Sequence, residues 1–446
     1  MKIRAVTIGA PVRFPLPAGV LPAAGRLARL IREALIGAGL EVQTTRLATP
    51  PLDTALAGRP GPAGGASAAL DLARALEQDG AREGLEYSAL GAIDTTAPGQ
   101  SGWEPLLEAM PEIIARTERV FCAAMVGTRR HGINLAATRA CGRVIARVAR
   151  ETPDGFGNLR FAALANCPPH IPFFPAAYHD GGEHLAAGIA LEAADVAVAA
   201  FADATSLEHA RERLIQDLAG AVQRVTETAA GAVGRYRGPM TAVFTGVDLS
   251  LAPFPAADRS MAGALERLGL PAFGAHGTAF LAAFLTECLQ RVAGALGQAA
   301  PTGFSGLMLP VLEDAVLARR AAEGTFGVDS LLLYAALCGL GLDTVPLPGD
   351  TAPGELGAII LDMATLAVRL NKPLTARLFP VPGKRAGDPV QWDFAYFAPS
   401  RVLPVRGLAP AGLLAQAERY NPGAGKEDAS WLQTRATSST GSSRPS

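Results

Sequence analysis

The sequence predicts an α/β protein with largely parallel strands. Short apolar runs alternate with amphipathic helical spacing along the chain. One complete strand–helix–strand unit stands out over residues 118–165. Turn residues are abundant: 49 Gly and 34 Pro in 446 residues amount to about 19% of the chain, against roughly 12% in ordinary usage. With 49% hydrophobic and 18% charged residues, that excess indicates a folded chain rich in loops, because disorder requires low hydrophobicity and high net charge.

The elements follow in order. Ile3 to Ile8 reads as a strand, Ala23 to Gly37 as a helix and Glu41 to Leu47 as a second strand. In the clearest unit, Glu118 to Val126 is strand-like, Asn134 to Glu151 is helical with Asn134 as its cap, and Leu159 to Ala165 is a strand again. Ser206 to Tyr236 is the longest helical stretch, and Thr241 to Leu249 a strand. Helices are predicted at Ser260 to Leu268, Ala279 to Leu296, Glu313 to Glu323, Val328 to Leu340 and Pro353 to Leu370. Strands are predicted at Gly303 to Leu309 and Leu374 to Val381. No break in composition separates domains. The expectation is one α/β unit over residues 1–430 and a disordered Ser/Thr-rich tail over 431–446.

Composition narrows the function. Forty basic and 41 acidic residues leave a formal charge of −1, far from the basic field of nucleic-acid binders. The longest apolar stretch, Leu185 to Phe201, is broken by Glu192 and Asp195, whereas a membrane span needs about 20 nearly uncharged residues. Five scattered cysteines, none in CxxC spacing, fit neither a disulfide framework nor a zinc ribbon. The start, MKIRAVTIGAPVRFPLP, reads as a strand and loop rather than a signal peptide, so the cytoplasm is the expected location.

Chemistry-bearing residues collect in Gly- and Pro-rich loops, where α/β folds place their sites. The segments are HGIN (131–134), NCPPHIPFFPAAYHDGGE (166–183), VDLSLAPFP (247–255), GAHGT (274–278), GFSGLMLPVLED (303–314), CGLGLDTVPLPGDT (338–351) and NKPLTARLFPVPGK (371–384). In this order they resemble the bacterial and archaeal family called domain of unknown function 711, from VTIG near Thr7 to about Val405. The resemblance implies a pyruvate formate-lyase-like fold: a ten-stranded barrel of two parallel five-stranded sheets wrapped by helices. The glycyl-radical loop of such enzymes has no counterpart, because RVLPVRG at Arg401 to Gly407 lacks the pattern. Radical chemistry is therefore disfavoured. Some members resemble partners of ACT-domain amino-acid sensors, which implies such a partner here.

Catalytic candidates are His179 and His276, each in a Gly-bearing loop, and Asp248, a carboxylate closing an apolar strand. His131, His170, His184 and His209 rank below them. Asn166, Ser305, Arg377 and Lys384 are the substrate-binding candidates; the two basic groups would meet an anion. Asp248, Glu313 and Asp314 could gather a divalent cation, though helix capping is the simpler role for the last two. Asp343 and Asp350 complete the acidic set. Cys122 and Cys338 suit small buried hydrophobes better than nucleophiles. Neither GxGxxG nor GxxxxGK[ST] occurs in strand–loop–helix context, so no nucleotide cofactor is expected. The reading is a non-redox lyase, isomerase or hydrolase acting on a small anionic metabolite, or else a non-catalytic metabolite-binding or regulatory protein. A homo-oligomer is compatible with apolar helices such as Ala279 to Leu296.

Overall fold

A computed structural model describes residues 1–57, 62–99, 102–296, 301–337, 339–416 and 419–423. Cys338 and the Ser/Thr-rich tail lie outside the described residues. The strands in chain order are β1 (Lys2–Gly9), β2 (Thr45–Pro51), β3 (Tyr87–Gly91), β4 (Ile93–Asp94), β5 (Val120–Thr128), β6 (Gly132–Asn134) and β7 (Phe161–Ala165). Then come β8 (Leu185–Glu192), β9 (Ala242–Ala252), β10 (Gly341–Pro348) and β11 (Leu374–Val381). The short strands β12 (Pro389–Val390), β13 (Ser400–Arg401) and β14 (Arg419–Tyr420) finish the series.

One mostly parallel sheet organises the molecule, with the path β10-β11-β7-β5-β3-β2-β1-β8-β9. The run from β7 to β1 is parallel throughout. The outer pairs β8–β9 and β10–β11 are each internally parallel and join that run antiparallel, through β1–β8 and β7–β11. Strands β1, β7, β8, β10 and β11 are buried along nearly their whole length, as expected where helices cover the sheet.

Most elements form where the residues predict them. The Asn134 side chain accepts from Ala137 N at 3.1 Å and opens the helix Leu135–Glu151. Pro353–Leu370 and β11 coincide with their predicted bounds. Gly142 lets these two long helices meet closely: a Cβ there would sit 2.2 Å from Pro353 O.

Three departures have physical causes. Strand β9 runs through Asp248 to Ala252, so Asp248 lies within the strand rather than at its end. The turn-rich sequence GLDTVPLP reads as a loop yet forms β10, with Thr344 at φ 45° marking an irregular register. Conversely, Gly303 to Leu309 forms no regular strand. Gly303 and Ser305 have φ of 70° and 43°, and the local N–H groups turn to a carboxylate instead of a ladder.

The barrel implied by the resemblance would pair the end strands. Among the described residues β9 and β10 do not pair; residues 302–312 span between them. Thr302 N donates to Val247 O and Gly306 N to Ser250 Oγ on β9, while Val311 N donates to Asp343 O and Leu312 N to Thr344 Oγ1 on β10.

Candidate functional site

Beside this crossing segment, and lined by residues of several sheet strands, lies a partly open cavity of about 210 Å³. Aromatic rings contribute part of its wall, including Tyr87, Phe121, Phe174, Phe304, Phe394 and Tyr396. Four arginines enter it: Arg4 from β1, Arg46 from β2, Arg160 and Arg377. Charge on strands whose faces are otherwise apolar must be compensated, since burial disfavours an ion.

Compensation differs among the four. Arg377 pairs with Asp343 on the neighbouring strand and, at 2.8 Å, with Glu313. Arg4 bonds Glu313 at 3.0 Å and Glu192 at 3.1 Å, and lies over the Tyr396 ring at 4.3 Å. Arg160 makes no ion pair among the described residues; it donates to the carbonyls of Ile114 and Val120 and to Thr117 Oγ1. Arg46 has the least. It donates from Nε to Thr44 Oγ1 at 2.9 Å and faces the rings of Phe174 at 5.2 Å and Tyr87 at 5.9 Å. Among the described residues no ion pair reaches it. Burial, reinforced by Arg4, lowers its pKa to about 10, so it stays charged at neutral pH.

The predicted residues divide between this cavity and elsewhere. Arg377 and Glu313 line it, with their charges spent on each other. Ser305 lies in the crossing segment, where its Oγ accepts from Leu249 N and donates to Thr302 O. Asp248 is fully buried and accepts from the N–H groups of Ser250, Phe304 and Ser305. Asp314 accepts from Met261, Ala262, Val316 and Leu317 N, capping two helices. Asp248, Glu313 and Asp314 do not converge among the described residues. Asn166 tethers Arg129 N, Ala367 O and Asn371. Lys384 and His276 lie outside the cavity lining, His276 on an exposed turn. Cys122 is buried inside β5, where desolvation pushes its pKa up to about 12 and suppresses the thiolate.

His179 is also outside the cavity, in a second cluster with His170, Asp180 and His184. It is fully buried, and desolvation lowers its pKa to about 4. One donor atom from each of His170, Asp180 and His184 lies within 4.8 Å of the other two. The missed signal was in the sequence: four such residues share one loop, at 170, 179, 180 and 184.

This arrangement defines a mixed α/β protein with an arginine-lined cavity and a histidine-rich loop. The family model described as "Uncharacterised ACR (DUF711)" matches residues 1–394, and the chain belongs to that family. Relatives carry the name UPF0210 protein. That of Pyrobaculum arsenaticum is 36% identical over 374 residues, 82% of this chain and 80% of its own length. That of Desulforudis audaxviator is 35% identical over 380 residues, 83% and 80% respectively. A Neisseria meningitidis serogroup C relative is 33% identical over 337 residues, 74% and 72%. No helix among the described residues is long and apolar enough to cross a membrane.

Proposed function

We propose that the cavity binds a small organic anion with an apolar or aromatic body, held by Arg46. The carrying observation is that Arg46 is a half-buried guanidinium beside aromatic rings, with no ion-pair partner among the described residues. A buried charge is disfavoured unless paired, and guanidinium pairs carboxylates through parallel N–H bonds. Size fixes the scale: an apolar cavity of about 150 Å³ holds benzene, so about 210 Å³ suits a ring bearing one carboxylate.

Metabolite binding is favoured, because Glu313 and Asp343, the carboxylates deepest in the wall, are both held in ion pairs, while Glu118 lies exposed at the rim. A second reading, a non-redox lyase, isomerase or hydrolase, rests on the phenols of Tyr87 and Tyr396 in the wall. A barrel-like closure of the sheet is supported by the crossing segment at 302–312. A cytoplasmic location, self-association and an ACT-domain partner rest on the sequence alone.

Isothermal titration with benzoate, phenylacetate and hexanoate against benzyl alcohol tests the proposal. The acids bind and the alcohol does not, and Arg46→Met weakens the acids by about 10- to 150-fold, the worth of one charge-assisted hydrogen bond. Failure of every acid to bind, or unchanged binding by Arg46→Met, overturns it. Proton NMR of the bound acid over hours separates the two readings, since only an enzyme produces new ligand signals.

A further inference from the structure

The loop between β7 and β8 does two things at once. Its middle, Phe173 to Ala176, forms cavity wall. Its flanks fold against each other, His170 N donating to Tyr178 O at 2.8 Å, and dock on the sheet through Thr7 Oγ1 to Pro172 O and His179 N to Thr49 O. That fold brings four polar side chains to one place. Asp180 Oδ2 lies 3.3 Å from His170 Nε2 and 3.9 Å from His184 Nε2, and Asp180 Oδ1 is 3.5 Å from His179 Nε2. The His179 and His184 rings are 5.0 Å apart.

Hydrogen bonds from Gly181 N to His179 Nδ1 and from Gly182 N to Asp180 Oδ1 pair only part of the cluster. His170 Nδ1 and His179 Nε2 are buried nitrogens without hydrogen-bond partners. An orphaned buried polar atom costs about 1–3 kcal/mol, and His179 Nε2 is such an atom at the edge of the cluster, 3.5 Å from Asp180 Oδ1. The backbone is committed to it as well. His170 has φ 68°, unusual for a side-chain-bearing residue. Gly9 leaves the space His179 fills: a Cβ there would be 2.8 Å from His179 Cδ2.

We infer that His170, Asp180 and His184 bind a transition-metal dication such as Zn²⁺, with His179 beside it, and that the ion clamps the loop forming the cavity wall. Two imidazoles and a carboxylate suit zinc or cobalt rather than Mg²⁺ or Ca²⁺, which prefer oxygen. Metal–ligand bonds of about 2.0–2.2 Å require donors within the observed 4.8 Å to draw in slightly, a shift that side-chain rotation supplies. Three protein ligands leave a coordination position open. The inference is independent of what the cavity binds.

Titration of the full chain with Co²⁺ provides the test. The expected result is one ion per chain with visible absorption of four- or five-coordinate cobalt. That signal disappears in His170→Asn and His184→Asn, and persists in a His209→Gln/His276→Gln double variant. Circular dichroism verifies folding; should His170→Asn unfold, the partly exposed His184 and Asp180→Asn serve in its place. Zn²⁺ should also slow amide exchange in peptides spanning 166–184. Absence of stoichiometric uptake, or uptake that survives in His184→Asn, overturns the site. Uptake without slowed exchange overturns the clamp.

Discussion

Two arginines of one cavity should respond oppositely to the same substitution. Arg46→Met removes a half-buried charge with no ion-pair partner among the described residues, so urea denaturation should show stability unchanged or increased. Arg377→Met strands Asp343 and leaves Glu313 paired with Arg4 alone, and breaking one side of a buried pair costs about 3–5 kcal/mol. A loss in Arg46→Met as large as in Arg377→Met would contradict this account. Arg377 is legible in the sequence because it sits among loop signals, in NKPLTARLFP. Arg46 is not, because a single arginine in TRLATPP carries no sign of what faces it across the sheet. His179 was legible as a loop histidine. Its association with His170 and His184 was not, since loop folding alone decides which side chains of a loop meet.

Capping and crossing are properties of whole elements. Asp314 opens the helix Ala315–Glu323 and also receives N–H groups from the start of Met261–Glu266. Replacing an N-cap costs about 0.5–2 kcal/mol, so Asp314→Ala, which removes an acceptor from the starts of two helices, should cost about 1–4 kcal/mol by chemical denaturation. A loss below 1 kcal/mol would argue that only one helix depends on it. The capping role was visible in sequence; the second helix, more than 50 residues upstream, was not. Gly303 controls the crossing segment: at φ 70°, its Cβ would lie 2.1 Å from Asp248 Oδ2. Gly303→Ala should therefore lower the melting temperature, and a neutral result in differential scanning calorimetry would refute the close approach. The same geometry explains why GFSGLML misleads as a strand: its apolar spacing is right, but positive φ at Gly303 and Ser305 breaks the ladder.

At the scale of the whole molecule, the alternating pattern gave the α/β class. It could not give strand order, because β8 joins β1 antiparallel and β7 joins β11 across more than 200 residues of chain. Such pairings depend on long-range packing rather than on local periodicity. Burial across the sheet and its helices also governs the thiols. Cys122, Cys141, Cys167 and Cys288 are all buried, with desolvation pushing Cys122, Cys141 and Cys288 up to about 12 and Cys167 higher still. At pH 8 the thiolate fraction is then about 10⁻⁴ or less. Iodoacetamide with peptide mapping should leave these four unmodified in the native protein and label them after unfolding. Labelling that outpaces unfolding would show an opening motion through the core.

The crossing segment has a further consequence, for solubility. End strands of an open sheet present bare N–H and C=O groups, a template for edge-to-edge pairing with other chains. Here residues 302–312 occupy part of both ends at once, bonding Val247 and Ser250 on β9 and Asp343 and Thr344 on β10. A single stretch of irregular backbone thus shields two edges, and loosening it would uncover both together in a molecule whose helices and core were still intact.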